Sequence, residues 1–537
     1  MTFTSFRFLL FLICLFLAYY LLPRKWQKWV LLAGNLVFYA FAGWTCLAFL
    51  AGSVGITYAF GRWLSCRSEK RDAVLSGEGA GWDKEEKKAF KAREKKTSFG
   101  ILCLGLVLNI GLLASVKYTH FVLGGLSTLF SFHLTLRDFL IPMGISFYVF
   151  QGSGYLIDVY RETAKPEKNL FRYALFVTYF PQLIQGPISR FNDLEPQLLG
   201  EHSFDSTAFS AGLIRVIWGF FKKLVIADRV LVAVRGICEN PDAYDGVYVF
   251  LLILLYSIVI YADFTGGIDI TMGVSEMLGI RLKENFRHPF ASQSVKEYWR
   301  RWHITMGTWF ADYIFYPLSV CRPMQKLSKF CRKHLGNGLG KRIPIYLATL
   351  FTWFLTGLWH GAGWNFIVWG LLNGVLILVS QELNPLFLRF RSRFPRWEAS
   401  VPHRIFRMAR TFLLVGFIRI LDVYGNVPLT FRMWGAMFRP SRTPLSQISL
   451  SNLGLTVPDL ILVAAGVLLM WLVGFLGYRW ETKGAPADGE EEKTVRGVLS
   501  RNPELLCAIG MGLVFCILLF GAYGIGYDAS EFIYRQF

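Results

Sequence analysis

The stretch Gly246-Val-Tyr-Val-Phe-Leu-Leu-Ile-Leu-Leu-Tyr-Ser-Ile-Val-Ile-Tyr261-Ala-Asp263-Phe-Thr265-Gly266-Gly267-Ile-Asp269 decides the fold. Residues 246–262 carry no charge, and a run of that length reaches the lower limit for a helix that crosses a bilayer. At membrane depth the backbone can satisfy itself only in helices or closed barrels, so the run reads as a spanning helix. Working outward, Thr4 to Leu22 is apolar apart from Arg7, and further runs cover about 29–43, 45–61, 99–118, 139–157, 208–228, 343–358, 362–381, 411–423, 457–478 and 503–524. Composition agrees: 54% of the 537 residues are apolar and 18% are charged, against about 25% charged in a soluble domain. The mean hydropathy is +0.40. A small soluble domain, a disordered chain and a collagen-like fibre are excluded. The expected class is an all-α polytopic integral membrane protein with about 11–13 transmembrane helices plus re-entrant elements. It is read as a single membrane domain, 1–537, with a charged loop at about 62–97 and C-terminal helices over 405–524.

The net charge of +20, from 57 Lys and Arg against 37 Asp and Glu, is gathered in short clusters between apolar runs. That distribution argues against a nucleic-acid partner and supplies a topology ruler, because short basic loops stay cytoplasmic. Segment 62–97 holds 11 basic and 7 acidic residues, 321–342 holds 7 basic and none acidic, and 388–410 holds 7 basic and one acidic. Counting from these places both termini outside a plasma membrane, with 424–456 and 525–537 outside and 479–501 inside. Thr4–Leu22 lacks a small-residue cleavage site and is followed by Arg24, Lys25 and Lys28, so it reads as a retained helix. The nine cysteines form no C-x-x-C pair and read as packing residues.

Two regions resist a simple reading. Phe180-Pro181-Gln182-Leu183-Ile184-Gln185-Gly186-Pro187 breaks an apolar segment with two prolines and a glycine, and 302–320 lies between two basic clusters. Irregular backbone survives at membrane depth only when buried in protein or lining a wet cavity, so both are expected to be re-entrant or flat-lying. Polar residues in apolar runs also need explanation, since an ionisable group at the centre of a membrane helix costs about 2.5–3.5 kcal/mol. Asp263, Thr265 and Asp269 either bond a broken helix to its neighbours or line a substrate path. Among eight histidines, His303 in Trp299-Arg300-Arg301-Trp302-His303 and His360 in Leu358-Trp359-His360-Gly361-Ala362 stand out, the latter beside glycines that permit close approach. A neutral imidazole is the natural general base for a hydroxyl nucleophile. No G-x-S-x-G elbow, phosphate-binding loop or D-x-D pair occurs, which disfavours serine-esterase, ATPase and D-x-D glycosyltransferase chemistry.

Several strings in series, Ile141-Pro142-Met-Gly144, Tyr155-Leu-Ile-Asp158, the Phe180–Pro187 segment, Tyr261-Ala-Asp263-Phe-Thr-Gly266, Glu284-Asn285-Phe286, Trp299–His303 and Leu358–Ala362, resemble the membrane-bound O-acyltransferase family over about 100–380. The branch it is similar to contains alginate O-acetylation and teichoic-acid D-alanylation proteins. The resemblance implies a ring of helices around a central funnel, with the donor handled from the cytoplasm and the acceptor outside. By motif, His360 corresponds to the family's active-site histidine and His303 to its second polar position. His360 is then the base, and His303 positions the donor or polarises its carbonyl. Tyr261, Asp263, Asp269, Arg300, Arg301, Trp302 and Trp359 become tunnel candidates. No tightly bound cofactor or metal is implied. The donor is expected to be a thioester, acetyl-CoA or an acyl carrier protein, whose phosphate the cluster Arg281, Lys283, Arg287, Lys296, Arg300 and Arg301 could meet.

The expected function is transfer of an acyl group, acetyl by preference, to a hydroxyl of a cell-envelope or secreted polysaccharide, directly or through a secreted partner. Alternatives are D-alanyl transfer to teichoic acid, or a transporter or scramblase. After Tyr316-Pro317-Leu318 the sequence departs from the alginate-type pattern, continuing Ser319-Val-Cys321-Arg322-Pro323, and this leaves alginate itself open as acceptor. The tail Phe532-Ile533-Tyr534-Arg535-Gln536-Phe537 resembles the aromatic end of a small peptide that accompanies D-alanyl transferases. It makes Tyr534 either a transient acyl carrier or an interface anchor.

Overall fold

A computed structural model describes residues 3–131, 141–443, 453–482 and 502–523. Among them the chain is helical throughout, with no strand and one isolated bridge, Phe286 to Trp302. It is an all-α polytopic membrane protein. Among the described residues five helices are long and apolar enough to cross a bilayer, Trp44–Ser76, Lys84–Lys117, Val247–Met277, Trp364–Glu382 and Val457–Leu476, and shorter apolar helices include Phe6–Leu21 and Glu504–Phe520. Two compact units form, Met1–Phe209 with Val274–Leu282, and Ser210–Gly273 with Lys283–Phe537.

In the first unit the segment 62–97 is not a loop. The helices Trp44–Ser76 and Lys84–Lys117 carry on beyond their apolar stretches and meet at a short turn, Glu78–Gly81. Hydropathy marks where lipid contact ends, but Lys, Glu and Ala are good helix formers and let the helix continue into water. Asp83 starts the second helix with a capping box: the Glu86 amide donates to its carboxylate at 2.7 Å, and its own amide donates to Glu86 at 3.0 Å. Arg67 then clamps Glu94 across the hairpin through both carboxylate oxygens, at 2.8 and 2.7 Å. Deeper in, Asn109 ties three helices together. Its side-chain oxygen accepts from Ser53 at 2.7 Å, while its amide nitrogen donates to Val149 O at 3.0 Å and to Ser153 at 3.1 Å.

The broken segment near 180 is two helices, Leu170–Thr178, exposed at its start and largely buried from Tyr173 on, and Phe180–Gln185, separated at Tyr179. Asn35 repairs the break. It donates to Thr178 Oγ1 at 3.3 Å and accepts the Phe180 amide at 3.1 Å, giving a partner to backbone that the kink would otherwise strand. Residues 302–320 likewise form short pieces, Ile304–Phe310, a π-turn Ala311–Phe315, and Tyr316–Val320. The basic stretch 321–342 opens the long helix Arg322–His360, which bends where Gly336 adopts φ +81°.

The second unit is built on two antiparallel helices. One runs through Ser206–Phe220, a π-turn Phe221–Ala227, and Asp228–Glu239; the other is Val247–Met277. Glycines line their contact: a Cβ on Gly219 would lie 2.6 Å from Gly266 O, and one on Gly273 would lie 2.5 Å from Gly212 O. Small residues at helical spacing let membrane helices approach backbone to backbone. That approach brings Arg215 Nε to Asp269 at 2.8 Å, Lys222 Nζ to Asp269 at 2.6 Å and to Thr265 Oγ1 at 2.7 Å, and Lys223 Nζ to Asp263 at 2.6 Å. Gly219→Ala is expected to cost about 1–3 kcal/mol through backbone overlap and to lower the unfolding temperature in detergent. Gly111→Ala, whose new methyl meets nothing within 4 Å, should leave that temperature unchanged or raised, as read by thermal-shift chromatography.

Candidate functional site

His303 sits in a bend that its neighbours hold. The helix Val295–Arg301 ends at Trp302, which is extended; His303 turns left-handed at φ +49°, and Ile304–Phe310 begins. A left-handed conformation in a non-glycine residue costs about 1–3 kcal/mol and persists only when the surroundings impose it. Here residues 285–287 impose it. The Arg287 amide donates to Arg301 O and the Ile304 amide to Asn285 O, both at 3.0 Å, so that the two segments pair on either side of Phe286 and Trp302.

The side chain of Asn285 then fixes the imidazole. One atom of its amide faces the Thr305 backbone N–H at 3.0 Å, the Thr305 hydroxyl at 2.9 Å and His303 Nδ1 at 3.2 Å. A backbone N–H can only donate, so that atom is the amide oxygen. An oxygen that only accepts requires the proton on Nδ1. Neutral His303 therefore carries its lone pair on Nε2, inside a fully buried ring packed edge-on to Phe264 at 4.9 Å.

His360 is the last residue of Arg322–His360 and is half-buried. Gly361 follows because the ring of Phe366 occupies the space a Cβ would need. The Trp359 ring lies 5.9 Å from His303 and 4.9 Å from His360, so one indole touches both histidines. Trp369 closes on His360 from another side at 4.8 Å and itself packs on Trp299 and Trp353. Two imidazoles thus share an aromatic environment, one of them with a defined proton-accepting nitrogen. Such a pair suits taking a proton from a weak nucleophile, such as a hydroxyl, where bulk water does not compete.

The other sequence candidates fall into three groups. Trp302 is stacked on Tyr298 at 5.6 Å, with the Arg419 guanidinium 4.4 Å from its ring, and Arg419 donates to the Tyr298 hydroxyl at 2.8 Å. Tyr261 joins the same cluster through Phe290 at 4.9 Å and Trp302 at 6.3 Å. Asp263 and Asp269 are engaged by Lys223, Lys222 and Arg215. Arg301 bonds Glu297 and Arg287 O, whereas Arg300 is exposed. Tyr534 lies outside the described residues. Sequence reasoning passed over Arg215, Lys222, Lys223 and Arg419. Three cations inside the apolar run 208–228, facing two carboxylates in the following run, were the available signal.

Comparison with known proteins adds an independent finding. Residues 162–412 match the model of the membrane-bound O-acyltransferase family. The chain is 32% identical to a probable alginate O-acetylase AlgI of Pseudomonas syringae pv. tomato, over 94% of this chain and 89% of that one. It is 29% identical to a peptidoglycan O-acetyltransferase of Helicobacter pylori, over 55% of this chain and 58% of the other. A teichoic acid D-alanyltransferase of Bacillus subtilis is 27% identical over 44% of this chain and 58% of its own length. Asn285→Ala should release His303 from its single tautomer, giving mixed imidazole nitrogen signals in NMR of histidine-labelled protein. A retained Nδ1-protonated form would show that Asn285 does not set it.

Proposed function

We propose, from a chain that belongs to the membrane-bound O-acyltransferase family and is a multi-pass membrane O-acyltransferase, that it moves an acetyl group from a cytoplasmic thioester to a hydroxyl of a cell-envelope or secreted polysaccharide. The observation that carries this reading is the pair His303 and His360, bridged by Trp359, with an Nε2 lone pair fixed on His303. The names of its relatives support it: a probable alginate O-acetylase over nearly the whole chain, and a peptidoglycan O-acetyltransferase over about half. The shorter match to a D-alanyltransferase makes acetyl the better choice.

In this reading His360 takes the proton of the acceptor hydroxyl as its oxygen attacks the thioester carbonyl. The C–O bond forms, the C–S bond breaks, and the departing thiolate receives the proton. His303, neutral and protonated on Nδ1, accepts a hydrogen bond through Nε2 from an amide N–H of the donor's pantetheine arm and so positions the thioester. Polarising the carbonyl, the other role open to it, would require a second proton on that ring. The donor is acetyl-CoA or an acyl carrier protein, met on the cytoplasmic side by Arg287, Lys296 and Arg300. The termini lie outside, and Tyr534 is the candidate that would pass the acyl group to a secreted partner.

His360→Ala is expected to lower acetyl esters on the surface or secreted polysaccharide by at least about 100-fold with the protein still present in the membrane, the scale of a general base. Undiminished acetylation in cells would remove His360 from the reaction. Tyr534→Phe separates the relay from direct transfer: full activity discards the acyl-tyrosine step and leaves the rest of the proposal standing.

A further inference from the structure

The first unit contains a second candidate ligand site, remote in sequence from both histidines. A cleft of about 80 Å³ lies between the helix Gln27–Ala40 and the start of Leu170–Thr178. Lys28 and Arg172, brought together from helices far apart in the chain, stand in its lining. Neither has an ion-pair partner among the described residues. Glu195 feels the charge of Arg172 without coming within ion-pair distance. The amides of Phe171 and Arg172 already donate to Asn169 at 2.9 and 3.3 Å, so the positive charge available to an anion in the cleft is that of the two side chains.

The rest of the wall is apolar. Trp29 and Phe171 meet edge to face at 5.8 Å, and Leu32 and Leu175 lie beneath them. Trp29 and Phe171 are 41% and 56% exposed; Trp29 follows closely on the apolar helix Phe6–Leu21 and its basic end, Arg24 and Lys25, and Phe171 packs on it. Exposed aromatic rings beside cations at the end of a membrane helix mark the headgroup level of a bilayer. A free inorganic anion would find cations here but no use for the indole and leucine wall. A zwitterionic lipid would use the wall and leave the cations uncompensated.

We propose that this cleft binds an anionic phospholipid, its phosphate held by Lys28 and Arg172 and its upper acyl chain lying along Trp29, Leu32 and Leu175. The site holds the lipid by charge and shape together, so it discriminates between headgroups of different charge.

The test is native mass spectrometry of the full-length protein released from nanodiscs of phosphatidylcholine mixed with phosphatidylglycerol. Selective retention of phosphatidylglycerol is expected. The double reversal Lys28→Glu with Arg172→Glu should lower that retention by at least about 30-fold, the combined scale for losing two interfacial cations. Reversing Arg24 and Lys25, which lie outside the cleft, should leave most of it. The milder pair Lys28→Gln with Arg172→Gln serves if the reversals do not fold, and should still lose most of the retained lipid. Equal retention of the two lipids, or equal losses from both double reversals, would overturn the site. So would displacement of the retained lipid by soluble glycerol phosphate, which would assign the cleft to a free phosphate. Displacement by an acidic carrier protein would assign it to that partner instead.

Discussion

Buried charge in a membrane protein has to be answered by buried charge, and in the second unit that requirement sets the register of everything near the histidines. Lys222 and Lys223 are 3% and 1% exposed. Removing one partner of such a pair leaves an uncompensated ion, at a cost of about 3–5 kcal/mol. Ion pairs of this length need backbones close together, and the glycines at 212, 219, 266 and 273 provide the approach. The result is a helix, Val247–Met277, that cannot slide by a turn without breaking three ion pairs. That helix carries Phe264, which packs on His303, and Tyr261, which packs on Trp302. The catalytic proposal therefore depends on charges that touch neither histidine.

The helical class, the multi-pass character and the irregular segments were legible in the sequence because hydropathy and the backbone's need for partners act locally. The Phe180–Pro187 segment could be recognised as broken from its prolines alone. What repairs it could not be read, because Asn35 lies far away in the chain and its amide looks like any polar residue in an apolar run. The stretch 62–97 shows the reverse limit. Its charge reported exposure correctly but was equated with a loop, although Lys- and Glu-rich sequence extends a helix as readily as it ends a membrane span. The capping box at Asp83 and Glu86 was the overlooked local signal.

At the site, the histidines were legible as residues and illegible as chemistry. His303 and His360 stood out through their motif company, but nothing in Trp299–His303 says which ring nitrogen bears the proton. That depends on Asn285, and on Thr305 supplying a donor whose direction cannot be reversed. Three groups, contributed from two separated segments, determine one proton position. Asp263 and Asp269 posed the opposite problem. They were conspicuous, and the sequence left open whether they bonded a helix or met a substrate. Their partners were hidden in a run whose average hydropathy concealed three cations. A search for opposite charges in neighbouring apolar runs would have found them, since membrane burial gives such charges few other uses.

The π-turn Phe221–Ala227 belongs to the same arrangement. Lys223 pairs with Asp228 at 2.8 Å as well as with Asp263, and Asp228 is five residues ahead of it in its own helix. In an α-helix the neighbouring side chains are three or four residues apart, so a partner at five points away. A π-turn, with its i to i+5 bonding, brings that position round to the same face. The wider turn thus lets one buried ammonium hold two carboxylates, one from each helix, in a place where a single partner would leave part of its hydrogen-bonding capacity unmet. A regular helix through 221–227 would have to surrender either Asp228 or the alignment with Asp263. The irregularity is therefore a consequence of burying Lys223, and it follows from the same electrostatic demand that fixed the helix pair.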